Sequence, residues 1–430
     1  MVASVMKKDQ AMADTLPPDE NRRAGKKRGR KSGKVADFRY KRSSQQGKKP
    51  RDSSSRSKGS QSKAGKVRPA SKPGTAAHTV QDKDFKPRKN EAYAALDLGT
   101  NNCRLLIARP SGRDFTVIDA FSRVVKLGED LATTGRLSDE AMDRAVGALA
   151  ICAEKLRRRN VRLARSVATE ACRRAENGEA FIERVRRETG IMLDIISAEE
   201  EARLAVLGCH ILLEAGEGPA VIFDIGGGST ELVLLNPGEK IPEIIDWQSV
   251  PWGVVSLTDT VGYGENEYSA RLERYDEMRR IVSDAFAPFA GRVADAAKGA
   301  DIRLLGTSGT VTTLASLHLE LPHYDRKAVD GLIVPSQSMR DISTRLSGMS
   351  PAERSELPCI GQDRADLVVA GCAILESILD LWPAERLGVA DRGIREGILR
   401  SLMAADRQSE RSLKALNEMR ASKSDMGSGG

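Results

Sequence analysis

Histidine and cysteine are scarce in this sequence, and neither occurs in a pattern that would bind a metal. The chain has 430 residues, with only four histidines and six cysteines. It contains no C-x-x-C pair, no H-E-x-x-H stretch and no adjacent His-Asp pair, which argues against a histidine-built metal centre. We therefore interpret the cysteines as reduced residues of the core.

Long apolar runs are also missing. No stretch approaches the roughly 18 uninterrupted apolar residues of a membrane helix, and the N-terminal MVASVMKKDQAMAD lacks the apolar core of a secretory signal. We expect a cytoplasmic protein with no membrane partner. With 40% hydrophobic and 30% charged residues, a chain of this length is long enough for two or three globular domains.

Charge is divided unevenly along the chain. Residues 1–90 contain 26 Lys and Arg against 8 Asp and Glu, a local net charge of +18, so the total of +8 leaves −10 on the other 340 residues. The segment 1–90 has few large apolar residues, which predicts a disordered basic arm. Such an arm would bind RNA or another polyanion by releasing counterions. The alternative is a solvated tail, since no aromatic residues are interleaved with the charges.

Two similar hairpins follow the arm. The first runs from Tyr93-Ala94-Ala95-Leu96-Asp97-Leu98 through a Gly-Thr-Asn-Asn turn to a strand at 103–108. The second runs from Val221 to Ile225, through Gly226-Gly227-Gly228-Ser229-Thr230, to a strand at 231–235. Aligning Asp97 with Asp224 places Arg104 over Glu231, so the pattern indicates two similar halves.

Helices alternate with these strands, which is typical of α/β folds. Ser138 predicts a helix start before a stretch with helical apolar spacing, and residues 304–311 predict a strand that ends in a Gly and hydroxyl turn and enters a helix. We predict a first domain at 91–205, completed by 395–410, a second domain at 206–394, and a polar tail at 411–430. The oligomeric state is left open, with a homodimer as one alternative.

The hairpin tips have the chemistry of phosphate loops. Gly99 lets the backbone approach a ligand, and Thr100, Asn101 and Asn102 place donors at the tip, although the same residues also suit an ordinary β-turn. Three glycines flanked by acids in the second hairpin exceed what a turn requires and favour Mg²⁺ held against phosphate oxygens. No Walker A loop and no dinucleotide-binding pattern is present.

The pair of loops resembles those of the acetate kinase, sugar kinase, heat-shock and actin superfamily. The resemblance implies an α/β fold of two ribonuclease H-like domains flanking a cleft. Within that superfamily, residues 92–402 resemble the exopolyphosphatase and guanosine pentaphosphatase family, in its short two-domain form. The segments that carry the resemblance are AALDLGTNNCRLLIAR, VATEACRRAENG, IISAEEEARLAVLG, VIFDIGGGSTELVL, GTSGTVTTL and DRGIREGIL.

The resemblance implies catalytic roles for Glu201 as the base that activates water and for Arg173 as an arginine directed at a phosphoryl group. It implies Asp224 and Glu231 as acids linked to Mg²⁺, with Asp97 as a weaker candidate. Ser197 and Glu200 are instead predicted to form a capping box. The sequence alone does not establish which of the glutamates 199–201 faces the cleft. The phosphate-binding residues that we predict are Gly99, Thr100, Asn101, Asn102, Arg104, Gly226, Gly227, Gly228, Ser229, Thr307, Ser308 and Gly309.

This pattern predicts a phosphohydrolase that removes terminal orthophosphate from linear polyphosphate, with guanosine pentaphosphate as the alternative substrate. A sugar or acetate kinase would share the phosphate loops but transfer phosphate to an acceptor, and the Glu201 segment disfavours it. A third alternative is an RNA-associated protein that only senses nucleotide and works through its basic arm.

Overall fold

The structure is a computed structural model that describes residues 91–112, 114–236, 242–262, 267–297 and 302–427. All of these lie in one compact unit, Gly74–Gly430. The basic arm predicted for residues 1–90 lies outside the described residues. None of the helices in the described ranges is long and apolar enough to cross a membrane.

The first half is a five-stranded sheet with the order β3-β2-β1-β4-β5. Strands β1 to β3 are antiparallel, and β4 and β5 run parallel to β1. All seven residues of β1 are buried, as expected for a central strand with an apolar sequence. Ser138 caps the second helix by accepting from Ala141 N, which confirms the predicted helix start. The elements are β1 Ala92–Leu98, β2 Asn102–Ser111, β3 Asp114–Val124, α1 Leu131–Thr134, α2 Asp139–Arg158, β4 Val161–Ala168, α3 Glu170–Arg174, α4 Gly178–Thr189, β5 Leu193–Ile195 and α5 Ala198–Cys209.

The second half is a six-stranded sheet with the order β10-β11-β9-β6-β7-β8. Short 3₁₀ turns lie at His210–Leu212 before the sheet and at Gln362–Arg364 before α12. The elements are β6 Ala220–Ile225, β7 Thr230–Asn236, β8 Glu243–Val250, α6 Val254–Val261, α7 Tyr268–Ala297, β9 Arg303–Thr307, α8 Gly309–His318, α9 Arg326–Val329, β10 Ile333–Pro335, α10 Ser336–Gly348, α11 Pro351–Ser355, α12 Leu367–Leu381, β11 Arg386–Ala390 and α13 Ile394–Gly427.

The two halves repeat one topology. The order β3-β2-β1-β4-β5 recurs as β8-β7-β6-β9-β11, with β10 added at the edge. Asp97 pairs with Arg104 across the first hairpin, and Asp224 pairs with Glu231 at the same place in the second. This equal register confirms the alignment made from the sequence and the prediction of two ribonuclease H-like domains.

Helix α13 returns from the second half to the first. Its residues Ile398, Leu399 and Met403 pack with residues of β1, β2 and α5 in one apolar cluster. A Cβ added at Gly397 would lie 2.0 Å from Leu204 O, so the glycine is needed for α13 to lie this close to α5. The predicted domain boundaries remain our proposal, and this packing supports completion of the first domain by residues 395–410.

The segment predicted as a polar tail, residues 411–430, continues α13 as far as Gly427. Its composition is polar, but it is rich in Ala, Leu, Lys, Arg, Glu and Met, which have high helix propensities. Helical conformation therefore extends past the packed part of α13.

Candidate active site

A cleft lies between the tips of the two hairpins. Residues of β1, β2, β6 and β7 form its floor, while the start of α8 and the segment before α12 form one wall. Most of the predicted site residues line it, namely Asp97, Gly99, Thr100, Asn101, Asn102, Arg104, Glu201, Asp224, Gly226, Gly227, Gly228, Ser229, Glu231, Ser308 and Gly309.

Both hairpin loops close in the same way. Gly99 N donates to Asn102 O at 2.9 Å, and Gly226 N donates to Ser229 O at 2.9 Å. The second loop also touches the first, because a Cβ at Gly228 would lie 2.6 Å from Thr100 Oγ1. The glycine run therefore has a packing reason as well as the predicted phosphate-binding one: it lets the tips of the two halves meet.

The four acids predicted from the sequence all line the cleft. Asp97, Glu201 and Glu231 are buried, and Asp224 is half-buried. Burial, together with the negative charge of Asp97, raises the pKa of Asp224 to about 6. Burial and the charge of Asp224 raise the pKa of Glu231 to about 7, although the hydroxyls of Ser229 and Ser249 both donate to its Oε1. Burial also raises the pKa of Asp97.

Of the three adjacent glutamates, only Glu201 lines the cleft. Glu199 is exposed, and the carboxylate of Glu200 pairs with Arg165 and Arg203. Burial, followed by the charge of Glu231, raises the pKa of Glu201 well above its usual value, while the ion pair with Arg173 opposes that shift.

The predicted capping box at the start of α5 is only half present. Ser197 Oγ accepts from Glu200 N at 3.2 Å, as expected. The carboxylate of Glu200, however, faces Arg165 on the neighbouring strand β4 and Arg203 on the next helical turn. Because two guanidinium groups are better partners than one backbone amide, the return bond to Ser197 is replaced.

Arg173 lies behind Glu201. Its Nη1 donates to Glu201 Oε2 at 3.0 Å and to Ile196 O at 2.8 Å. Its Nε and Nη2 donate to Glu170 Oε2 at 3.1 and 2.6 Å. Four of the five guanidinium N–H donors are thereby used. Arg173 is not among the residues that line the cleft, and its guanidinium faces two carboxylates and one backbone carbonyl.

Thr307 is not among the residues that line the cleft. Its hydroxyl donates to Arg392 O at 2.7 Å, and the side chain is buried at the end of β9. Ser308 and Gly309 do line the cleft. Ser308 has φ 127° and ψ 172°, a conformation that is essentially restricted to glycine, and its Oγ accepts from Val311 N at the start of α8.

Sequence reasoning missed two charged residues of the cleft. Glu170 lies directly after Thr169 at the end of β4, and Arg364 lies in the 3₁₀ turn before α12. Arg364 Nη1 donates to Thr313 Oγ1 at 3.2 Å, and burial, followed by the positive charge of Arg104, lowers its pKa. Glu170 belongs to the segment VATEACRRAENG, in which only Arg173 was predicted to act at the site. Arg364 has no local sequence motif that predicts its position in the cleft.

The donor set of the cleft suits a hard divalent cation. Carboxylate oxygens are the ligands that Mg²⁺ prefers. Burial first, and then the negative charge of a neighbouring acid, raises the pKa values of Asp224, Glu201 and Glu231, and a cation would neutralise that charge. Within the described ranges, however, no three His, Cys, Asp or Glu side chains are arranged to hold a metal by themselves. Water and substrate oxygens would have to complete its coordination, which is the usual situation for Mg²⁺.

Comparison with known proteins places the chain among phosphatases. A model of the Ppx/GppA phosphatase family matches residues 106–406. Exopolyphosphatase 2 of Mycobacterium tuberculosis is 30% identical over 326 residues, which cover 72% of this chain and 98% of that protein. The crystal structure of the Aquifex aeolicus Ppx/GppA family member is 29% identical, with a TM-score of 0.60, and covers 74% of this chain and 98% of its own. An exopolyphosphatase from Cytophaga hutchinsonii, 24% identical, shares the fold with a TM-score of 0.64 over 73% of this chain and 98% of its own.

Proposed function

The chain belongs to the Ppx/GppA phosphatase family, and we propose that it releases terminal orthophosphate from linear inorganic polyphosphate by the attack of water. The observation that carries this proposal is the buried carboxylate of Glu201, which faces two glycine-containing loops across a cleft built from both halves. The relative from Mycobacterium tuberculosis, which is named an exopolyphosphatase, supports the substrate class.

Glu201 is suited to the role of general base. A carboxylate whose pKa is raised by burial is a stronger base than one in water. It removes a proton from water as the oxygen attacks the terminal phosphorus, and Arg173 Nη1, 3.0 Å away, orients the carboxylate. The bond to the bridging oxygen breaks, and the shortened chain leaves with its negative charge.

The two loops bind the phosphates of the chain. Backbone amides at the two tips and the hydroxyl of Thr100 line the cleft and can donate to phosphoryl oxygens. Arg104 and Arg364 line the same cleft and provide positive charge for the phosphates. Mg²⁺ held by Asp224 and Glu231, with Asp97 nearby, would supply neutralisation of charge on the transferring group.

Guanosine pentaphosphate is the second candidate substrate, because it also ends in a phosphoanhydride bond. The experiment that tests the proposal is a side-by-side measurement of phosphate release from long-chain polyphosphate and from guanosine pentaphosphate by the purified full chain with Mg²⁺. A higher kcat/KM on polyphosphate is expected. A preference for guanosine pentaphosphate would move the assignment to the alternative, and release from neither substrate would reject hydrolysis of both.

A further inference from the structure

Glu170 has no role in the mechanism described so far, although its side chain lines the cleft. We propose that Glu170 is a positioning residue for the general base, because it holds the Arg173 guanidinium away from full pairing with Glu201. This inference rests on the proposed function, in which Glu201 accepts the proton of the attacking water.

The geometry divides one guanidinium between two carboxylates. Glu170 Oε2 accepts from both Nε and Nη2 of Arg173, at 3.1 and 2.6 Å. Glu201 Oε2 accepts only from Nη1, at 3.0 Å, and Nη1 also donates to Ile196 O. Glu201 therefore has a single bond to the arginine through one carboxylate oxygen, and this arrangement leaves Glu201 Oε1 outside the pair.

The pair Glu170–Arg173 differs from an ordinary surface pair three residues apart. The side chains of Glu170 and Arg173 are only 15% and 22% exposed. Fully exposed ion pairs of this spacing contribute little to stability. The stem of Glu170 also lies against the second hairpin loop, since a Cβ at Gly228 would be 3.0 Å from Glu170 Cγ and 3.3 Å from its Cβ. The stem of Glu170 is thus packed against the other half of the molecule.

Removing the charge of Glu170 should change what Glu201 does. In Glu170→Gln the amide oxygen would be a weaker, uncharged acceptor for Arg173, and Glu201 would be the one remaining carboxylate among the acceptors now seen on the guanidinium. A planar guanidinium beside one carboxylate favours a bidentate pair. Both oxygens of Glu201 would then be occupied, and the carboxylate would be a weaker and poorly oriented acceptor for the proton of water.

The test compares Glu170→Gln with Glu170→Asp and with a control, Glu176→Gln. Glu176 is an exposed residue of the same segment whose partner, Arg136, is also exposed. For Glu170→Gln we expect kcat to fall by about tenfold or more, with KM changed by less than about twofold, because a positioned base contributes about 10²- to 10⁴-fold. Glu170→Asp should recover part of the loss, and Glu176→Gln should match the wild type.

A second arm tests whether Glu170 acts through Arg173. In an Arg173→Lys background, Glu170→Gln should have less than about twofold further effect on kcat, because the group that it holds is gone. Independent, multiplicative losses in the double variant would overturn the proposal. An unchanged or raised kcat in Glu170→Gln alone would also overturn it. So would a fall in kcat/KM that comes only from a higher KM.

A third arm does not depend on activity. A crystal structure of Glu170→Gln should show Arg173 with two bonds to Glu201. A guanidinium that stays in its present place, with one bond to Glu201, would overturn the inference whatever the enzyme hydrolyses. Absence of phosphate release by the wild type would instead count against the proposed function, so the two failures are distinct.

Discussion

The buried carboxylates of the cleft should destabilise the folded protein when they are ionised. The size of this effect can be measured at Glu231. Its pKa is raised from 4.5 to about 7, first by burial and then by the charge of Asp224. Between these two pH values the folded state holds a proton that the unfolded state has released, so stability falls as pH rises through the window. A shift of this size lowers the free energy of unfolding by up to about 3 kcal/mol above pH 7.

Replacing Glu231 by Gln should remove that cost. The amide oxygen can still accept from the hydroxyls of Ser229 and Ser249, but the side chain carries no charge. In the presence of a chelator, we expect Glu231→Gln to have a higher free energy of unfolding than the wild type at pH 8 and nearly the same value at pH 4.5. Urea denaturation at several pH values measures the difference.

Glu200 provides a control of opposite sign. Its ion pairs with Arg203 and Arg165 lower its pKa, so its contribution to stability is present above about pH 4.5 and is lost as pH falls. Glu200→Gln should therefore destabilise the protein at pH 8. If Glu231→Gln is no more stable than the wild type at pH 8, or if its gain does not depend on pH, the electrostatic account of the cleft is wrong.

Four further predictions concern the site and the arm. Glu201→Gln should abolish phosphate release with little change in stability or substrate binding, because an amide cannot accept the proton; turnover near that of the wild type would exclude Glu201 as the base. Hydrolysis should stop in excess chelator, and Asp224→Asn should raise the Mg²⁺ concentration needed for half-maximal rate, since a negative charge is lost; full activity in chelator would contradict both. Deleting residues 1–90 should leave kcat on short substrates unchanged but weaken binding to long polyphosphate or RNA and flatten its salt dependence, because +18 of charge is removed; equal affinities and slopes with and without the arm would contradict this. Ser308→Gly should raise the free energy of unfolding by about 1 kcal/mol by relieving its φ of 127°; a less stable variant would show that the hydroxyl bond at the helix start is worth more than the strain.

The parts of the fold that could be predicted are those specified by local chemistry. The apolar strand before Gly99 and the repeat of that pattern at Val221–Ile225 predicted both hairpins, and the equal spacing predicted their equal register. Ser138 predicted the start of α2 because its side chain satisfies a helix amide within three residues. These signals depend on neighbours in sequence, so one chain was enough to show them.

The parts that could not be predicted depend on contacts between distant segments. Glu200 was expected to close a capping box, but strand β4 brings Arg165 beside it. Thr307 was expected in the cleft, but its hydroxyl donates to the carbonyl of Arg392, which lies two residues before the last helix. Arg364 reaches the cleft from a turn that no motif marks. In each case the partner is at least 35 residues away or the position has no local signature.

The return of α13 to the first sheet also constrains the order in which the nascent chain can fold. The face of that sheet that carries Tyr93, Ala95 and Leu106 is covered partly by α13, yet the ribosome reaches Met403 about 190 residues after the end of α5. At about 5–20 residues per second this interval lasts roughly 10–40 s. During this interval the second half can complete its own core, whereas the sheet face of the first half that α13 will cover stays exposed to solvent. The first half to be synthesised is thus the last to be finished, and a ribosome that stalls after Ala390 would leave an aggregation-prone product.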